Sequence, residues 1–498
     1  MKKVKDWFKN VYSKIKTFFI GVDEGIDEGV NKVTSKFAKF WSKYNFVVYL
    51  GVFTLLALVL KYVLVPIPSW DYISFIQTWT YDIKIEGGFI KGLIALYEKP
   101  ESVTLYFGDF GKSMGLPNCD YPPLYMYFLS IFSILPFGRV VQASGSWNAY
   151  YYYENLMYYV KTLTFIFEII FAVFAYKIVK KVSGSKIAGC TAYSLFLFLP
   201  TVIINGAVWR QCDICYSTML LISTYYLMEK KQIRSMVFFG LGLAFKLQVV
   251  FLLPLFGFAW FRKSFKLRYF FIAIGVTILT FVPLWIGGAQ FTTPFIPYGR
   301  QAGGYTSSIN LNSTNIYTFF VFNEQAYNNS TKLLSTFGMI LTVLSSFVLI
   351  SLLAFKRVKV TPKSILLIAT FSAVMVPFVM PHMHERYFYL AESFLLLYAC
   401  TKINRIHLPI IQQVSGLIAY SCYGIIKPNW FLEDSNSKQI ALCIGTFLNM
   451  IVLGFLIYDL SKLEVEPKIE KNELAQQEVD LQDERESNKG AVKKLTSF

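Results

Sequence analysis

The sequence predicts an all-α polytopic integral membrane protein, and three observations carry that prediction. Hydrophobic residues make up 55% of the 498-residue chain, at a mean hydropathy of +0.45, far from the balance of a soluble domain. Apolar windows near or above the ~20 residues that cross a ~30 Å hydrocarbon core recur along the chain. Between them Lys and Arg gather in short clusters, "KIVKK", "EKKQIR", "FRKSFKLR", "FKRVKVTPK" and "TKINR", the mark of cytoplasmic loops. The formal charge of +17 is spent in these clusters; no continuous basic domain or RNA-binding motif supports a nucleic-acid role.

Residues 1–43 lack the unbroken apolar core of a signal peptide. Trp7, Phe8, Val11, Ile15, Phe18 and Phe19 recur at helical spacing with lysines between them, which reads as an amphipathic helix on an anionic cytoplasmic leaflet. The first span is expected near 46–66. A long outer loop, 67–122, follows, mixing aromatics with Asp, Glu and Gly in short interfacial helices. Further spans are expected near 123–137, 157–179, 187–204, 213–228, 235–260, 268–287, 332–355, 363–380, 386–401, 408–425 and 438–459, with a second polar outer loop at 288–331. The segment 235–260 has basic clusters at both ends and Lys246 in its middle. A Lys at mid-span is costly, so it reads as two half-helices meeting at "FKLQ". Residues 123–156 have room for a re-entrant turn, and the count is about 12 to 14 crossings in all. The transmembrane domain is bounded at 44–460. The tail, 461–498, is charged and poor in apolar residues, hence disordered or a cytoplasmic helix that could recruit a cytoplasmic partner. Both termini are expected in the cytoplasm.

Seven cysteines lie mostly within apolar runs. Cys212 and Cys215 have CxxC spacing without a soluble redox or zinc context and read as structural thiols.

With the basic clusters inside, several costly polar groups fall on the outer side: Asp71, Asp120, the set Arg210, Gln211 and Asp213, Lys246 with Gln248, and His382, His384, Glu385 and Arg386. Ionisable groups at a membrane edge mark function by default, and a shared site would explain all of them. Asp71 suits a general base or the N-cap of an interfacial helix. Asp120 suits acceptor binding, a second carboxylate function, or a cap for the span opening at Pro122 and Pro123. Lys246, Arg210 and Arg386 suit phosphate binding, against snorkelling to headgroups for Lys246 and Arg386. His382 and His384 do not share a helix face, and no HExxH motif follows, so a catalytic zinc is not expected. The tyrosines of "YYYYENLMYY" read as an aromatic belt.

A carboxylate after the first span, "DYPPLY" opening the second, "WRQCD", "FKLQ" and "HERYF" occur in that order. With these motifs the chain resembles the GT-C glycosyltransferases over most of residues 46–400. It is similar to the endoplasmic-reticulum glucosyltransferases that use dolichyl-phosphate-glucose, and more so to bacterial mannosyltransferase-like relatives. The resemblance implies an inverting transfer of a hexose from a polyprenyl-phosphate carrier to an acceptor hydroxyl on the outer face, in cell-envelope polysaccharide or glycolipid assembly. It implies Asp71 as the base and a donor-phosphate site at His384 and Glu385, with Arg386 an added cation. Lys246, Arg210 and Gln248 complete the expected donor-binding set, with Asp120 and Asp213 as further carboxylates. The lipid-phosphate sugar is the donor substrate and no cofactor is expected beside it, with assistance by a divalent metal left open. The middle motif departs from the endoplasmic-reticulum enzymes, which carry a histidine and an aromatic run where this chain has "WRQCD". The competing class is a multispan transporter or lipid-carrier flippase, but no internal repeat is seen and the polar groups lie at one face. Composition fits a bacterial plasma membrane.

Overall fold

The computed structural model describes residues 35–467 apart from residue 68 and the stretches 100–103, 108–111, 116–117, 145–148, 304–307, 321–323 and 426–434, with a few isolated residues before 18. The amphipathic segment expected over 1–43 falls mostly outside the described residues, and the tail is described only to residue 467.

Helices stand at each expected span. Among the described residues, six are long and apolar enough to cross a membrane alone: Tyr44–Val63, Glu154–Ser183, Leu267–Ile286, Thr331–Phe355, Pro362–Val379 and Asn436–Ser461. A bent pair, Lys186–Leu197 with Pro200–Trp209, makes up to seven. The bend of 47° follows from Pro200, which has no N–H to continue the preceding helix but is well placed to open the next. The protein is thus a helical multi-pass membrane protein. The other expected spans are filled by shorter elements, among them Pro123–Ser133, Asp213–Met228, Tyr389–Thr401 and His407–Tyr423. The 235–260 segment breaks as expected. Helix Gln232–Phe245 ends at Lys246, whose backbone is extended (φ −164°, ψ 144°), and a 3-10 turn, Leu247–Leu252, leads into helix Leu253–Phe261.

The stretch between the second and third expected spans, where a re-entrant turn had room, holds a pair of β-strands. Val140–Ser144 pairs antiparallel with Ala149–Tyr153. Tyr152 and Tyr153 are buried, so part of the tyrosine run packs inward instead of forming a belt. A second strand pair joins Thr104–Phe107 with Lys112–Gly115.

The basic loops gather at one end of the bundle. Lys181 pairs with Glu229 at 2.6 Å, Gln232 donates to the Ser264 carbonyl at 2.9 Å, and Arg262 donates to Val358 O at 3.0 Å. Lys359 N then bonds Glu464 O at 2.9 Å, which ties the start of the tail to the same end. Lys402 and Arg405 close on Asp459 at 2.7 and 2.5 Å. Helix Asp213–Met228 runs from this end, beside Glu229, to Asp213 in the polar cluster at the other.

Two buried basic side chains shape the turn that delivers Asp71. The last carbonyls of the first helix and the turn after it lack intrahelical partners. Lys161 donates to Leu64 O and Val65 O at 3.0 and 2.5 Å. Arg210 donates to Val65 O at 3.2 Å and to Ile67 O. One turn earlier, Lys61 is paired with Glu168, each 1% exposed. Gly206 lies against this pair; a Cβ there would collide with Glu168 Oε1. The glycine lets the bent helix approach the ion pair.

Candidate functional site

Segments hundreds of residues apart converge on one pocket of about 230 Å³. Asp71, Phe75, Trp79, Asp120, Tyr121, Gln211, His384, Glu385, Arg386 and Tyr423 are among its lining residues.

Asp71 does not cap a helix. Its own backbone is helical (φ −59°, ψ −39°), and its side chain makes no capping bond. Ser69 does that work instead, accepting from Tyr72 N at 3.3 Å while donating to Trp209 O at 2.8 Å. The Asp71 carboxylate, 6% exposed, is thereby released to the pocket. Its Oδ2 accepts from Trp209 Nε1 at 2.9 Å and from Gln211 Nε2 at 2.6 Å, and its Oδ1 accepts from Tyr423 OH at 2.5 Å. Gln211 is itself oriented, since its Oε1 accepts from Tyr121 OH at 2.9 Å. A carboxylate held by neutral donors is fixed in place without being neutralised by a cation.

Asp120 also lines the pocket and likewise caps no helix: Pro122 holds the N-cap position of Pro123–Ser133 without a side-chain bond. Burial raises its carboxyl above the usual range, against the opposing pull of Lys246, Arg386 and His384. The raised value marks a carboxylate in a partly dry setting.

The late motif is held by the second polar loop. Met383–His384 pairs in parallel with Asn310–Leu311, and Glu385 N bonds Leu311 O at 3.0 Å. His382 adopts a left-handed φ of 61°. Its Nδ1 donates to Ser308 O at 2.7 Å, and Nε2 lies 2.7 Å from Ser335 Oγ; its role is to tie the two loops together. Arg386 donates from NH1 to Glu385 Oε1 at 2.6 Å and sits 3.6 Å from Asp213 Oδ2. His384 Nδ1 lies 3.6 Å from Glu385 Oε2. Burial alone would raise Glu385, but His384 and the Arg386 charge outweigh it and hold the carboxyl below its usual range. For Arg386, burial opposes the charged form while Glu385, Tyr121, Asp213 and Asp71 favour it more strongly, so the guanidinium stays charged.

Lys246, Asp213, Arg210 and Gln248 are buried but do not line the pocket. Lys246 is spent on Asp213 Oδ1 at 2.6 Å, and Asp213 Oδ2 accepts from Asn205 at 3.0 Å. This pair stands behind Arg386 as a support. Arg210 is spent on the carbonyls beyond the first helix and lies over the Tyr72 ring at 4.7 Å. Trp209 and Tyr423 were not among the residues expected at the site. The indole joins its two halves, with Nε1 on Asp71 and its ring 5.4 Å beneath the Arg386 guanidinium. Tyr423 stacks on that indole at 5.1 Å. Among the described residues, no group of three or more His, Cys, Asp or Glu side chains is placed to hold a metal ion. All seven cysteines are free.

No protein-family model matches the chain, and no curated protein sequence does. Among solved structures, the chain is similar to the crystal structure of ArnT from Cupriavidus metallidurans bound to undecaprenyl phosphate. The match has 10% sequence identity and a TM-score of 0.45, over 84% of this chain and 78% of that one.

Proposed function

We propose that the protein is an inverting glycosyltransferase of the GT-C type, moving a hexose from a polyprenyl-phosphate carrier to an acceptor hydroxyl at the outer face of a bacterial plasma membrane, in cell-envelope polysaccharide or glycolipid assembly. The observation that carries the reading is the sharing of one pocket by the anchored Asp71 carboxylate and the buried Arg386 guanidinium, bridged by Trp209. Asp71 takes the proton of the acceptor hydroxyl as its oxygen attacks the anomeric carbon from the face opposite the phosphate. The anomeric carbon–oxygen bond breaks with its electrons going to the phosphate. Arg386, with His384 beside it, offsets the charge that develops there; a preorganised cation in a water-poor site needs little reorganisation to do so. The phosphate is a good leaving group once neutralised, so no acid is required to protonate it. Trp79 and Tyr121, edge to face at 5.3 Å, offer apolar faces to a sugar ring. The lipid-phosphate sugar is the donor, and no other cofactor is called for.

The test is transfer of radiolabel from polyprenyl-phosphate hexoses in membranes carrying the wild type or Asp71→Asn. Loss of at least a hundredfold with Asp71→Asn is expected, within the ~10²–10⁴-fold contribution typical of acid–base groups. Undiminished transfer by the variant would remove Asp71 as the base, and no consumption of any such donor by the wild type would remove the enzyme reading.

A further inference from the structure

The three donors on Asp71 are distributed unequally, and the inequality singles out one oxygen. An ionised carboxylate has about four lone-pair sites, two on each oxygen. Oδ2 accepts from both Trp209 and Gln211, so both of its sites are taken. Oδ1 accepts only from Tyr423 among the described residues, which leaves one of its sites open, and Asp71 and Tyr423 both line the pocket. We infer that Oδ1 is the atom that takes the acceptor's proton, and that Tyr423 is a positioning residue that aims it. The inference rests on the proposed function.

The local structure suits Tyr423 to this task. It is the last residue of helix His407–Tyr423, which stops at Gly424 in the left-handed region (φ 95°). Gly424 N bonds Tyr420 O and Ser421 O at 3.1 and 3.0 Å, so the end of the helix is closed and the tyrosine cannot fray from it without breaking the cap. The ring is then pinned by stacking on Trp209, the residue that also donates to the other carboxylate oxygen. Rotation of the carboxylate about its Cβ–Cγ bond would have to exchange all three donors together. In the reaction, the acceptor O–H approaches Oδ1 at the vacant site and its proton passes there. Its oxygen bonds to the anomeric carbon, and the carbon–oxygen bond to phosphate breaks. The Tyr423 hydroxyl keeps its own proton throughout and donates to the same Oδ1.

Tyr423→Phe removes the hydroxyl and keeps the stacking ring. It should lower kcat roughly 10- to 100-fold, the size expected for a hydrogen bond to a charged group, with the donor KM and the melting temperature in detergent unchanged. Single-turnover transfer should fall by the same factor. In an Asp71→Asn background the further loss should vanish, because a residue that acts through Asp71 has nothing left to aim. Should Tyr423→Phe prove unstable, Gln211→Met removes a donor from Oδ2 at similar volume and should show the same dependence on Asp71. Wild-type kcat in Tyr423→Phe, or an equal loss with and without Asp71, overturns the role of Tyr423 while leaving Asp71 as the base. A fully active Asp71→Asn, or a wild type that uses no lipid-phosphate sugar, overturns the proposed function and this inference with it.

Discussion

Lys246→Met tests whether the ion pair behind the pocket sustains both the fold and the cation in front of it. Lys246 and Asp213 are 2.6 Å apart at 1% and 0% exposure. Two charges at about 4 Å attract by about 4 kcal/mol at the effective dielectric that suits protein sites. Breaking a buried pair typically costs about 3–5 kcal/mol, because the remaining charge is stranded. Here Asp213 keeps the Asn205 hydrogen bond and has Arg386 at 3.6 Å, so a loss near the lower end, about 3 kcal/mol, is expected. The assay is equilibrium unfolding in mixed detergent micelles. A second effect follows, since Arg386 becomes the main counter-charge of Asp213 and is drawn away from the pocket; the donor KM should rise about tenfold. Lys246→Met combined with Asp213→Asn strands no charge and should recover much of the stability. A single variant within about 1 kcal/mol of wild type would put the pair in the class of exposed ion pairs and refute the reasoning.

Gly206→Ala places a Cβ against Glu168 Oε1 and 3.0 Å from Thr164 Cγ2; it should destabilise by about 1–3 kcal/mol, the usual cost of overpacking. Gly454→Ala, with nothing within 4 Å of its Cβ, should stay within about 0.5 kcal/mol of wild type in the same unfolding assay. Asp120 binds its proton more tightly in the folded protein than in the unfolded chain, since burial raises it. Stability should therefore rise as pH falls from above that raised value into the ordinary carboxylate range. Asp120→Asn should flatten that limb of a melting profile measured against pH.

The frame of the molecule was legible because the bilayer imposes a strict code. Apolar runs must be helices when no water is present to satisfy the backbone, and the basic clusters order them; hence helices such as Glu154–Ser183 and Pro362–Val379 lie within a few residues of their expected ends. Lys246 was legible for a related reason. A mid-span lysine demands an explanation, and the broken helix with Asp213 supplies one. The strand pair at Val140–Tyr153 was hidden. Its tyrosines are equally at home in a strand, a belt or a helix, and pairing between strands leaves no apolar period long enough to read.

Within the site, charge was legible and its allocation was not. Asp71, Asp120, His384, Glu385 and Arg386 stood out as costly groups, and all line the pocket. Arg210 and Lys246 stood out for the same reason yet serve the scaffold, because a buried cation is satisfied equally by a ligand, a carboxylate or a row of carbonyls. Arg210 found the orphan carbonyls of Val65 and Ile67, and nothing in the order of residues says that this turn would pass beside it. Trp209 and Tyr423 were missed for the opposite reason. Aromatic residues are cheap in a membrane chain, and one more tryptophan or tyrosine among 9 and 33 carries no signal of cost. Their polar ends matter only where the fold turns them: an indole N–H and a phenol O–H, 214 positions apart in the numbering, meet on one carboxylate. A costly group is thus visible in sequence by its own chemistry, whereas the group that aims it becomes visible only through the contact it makes.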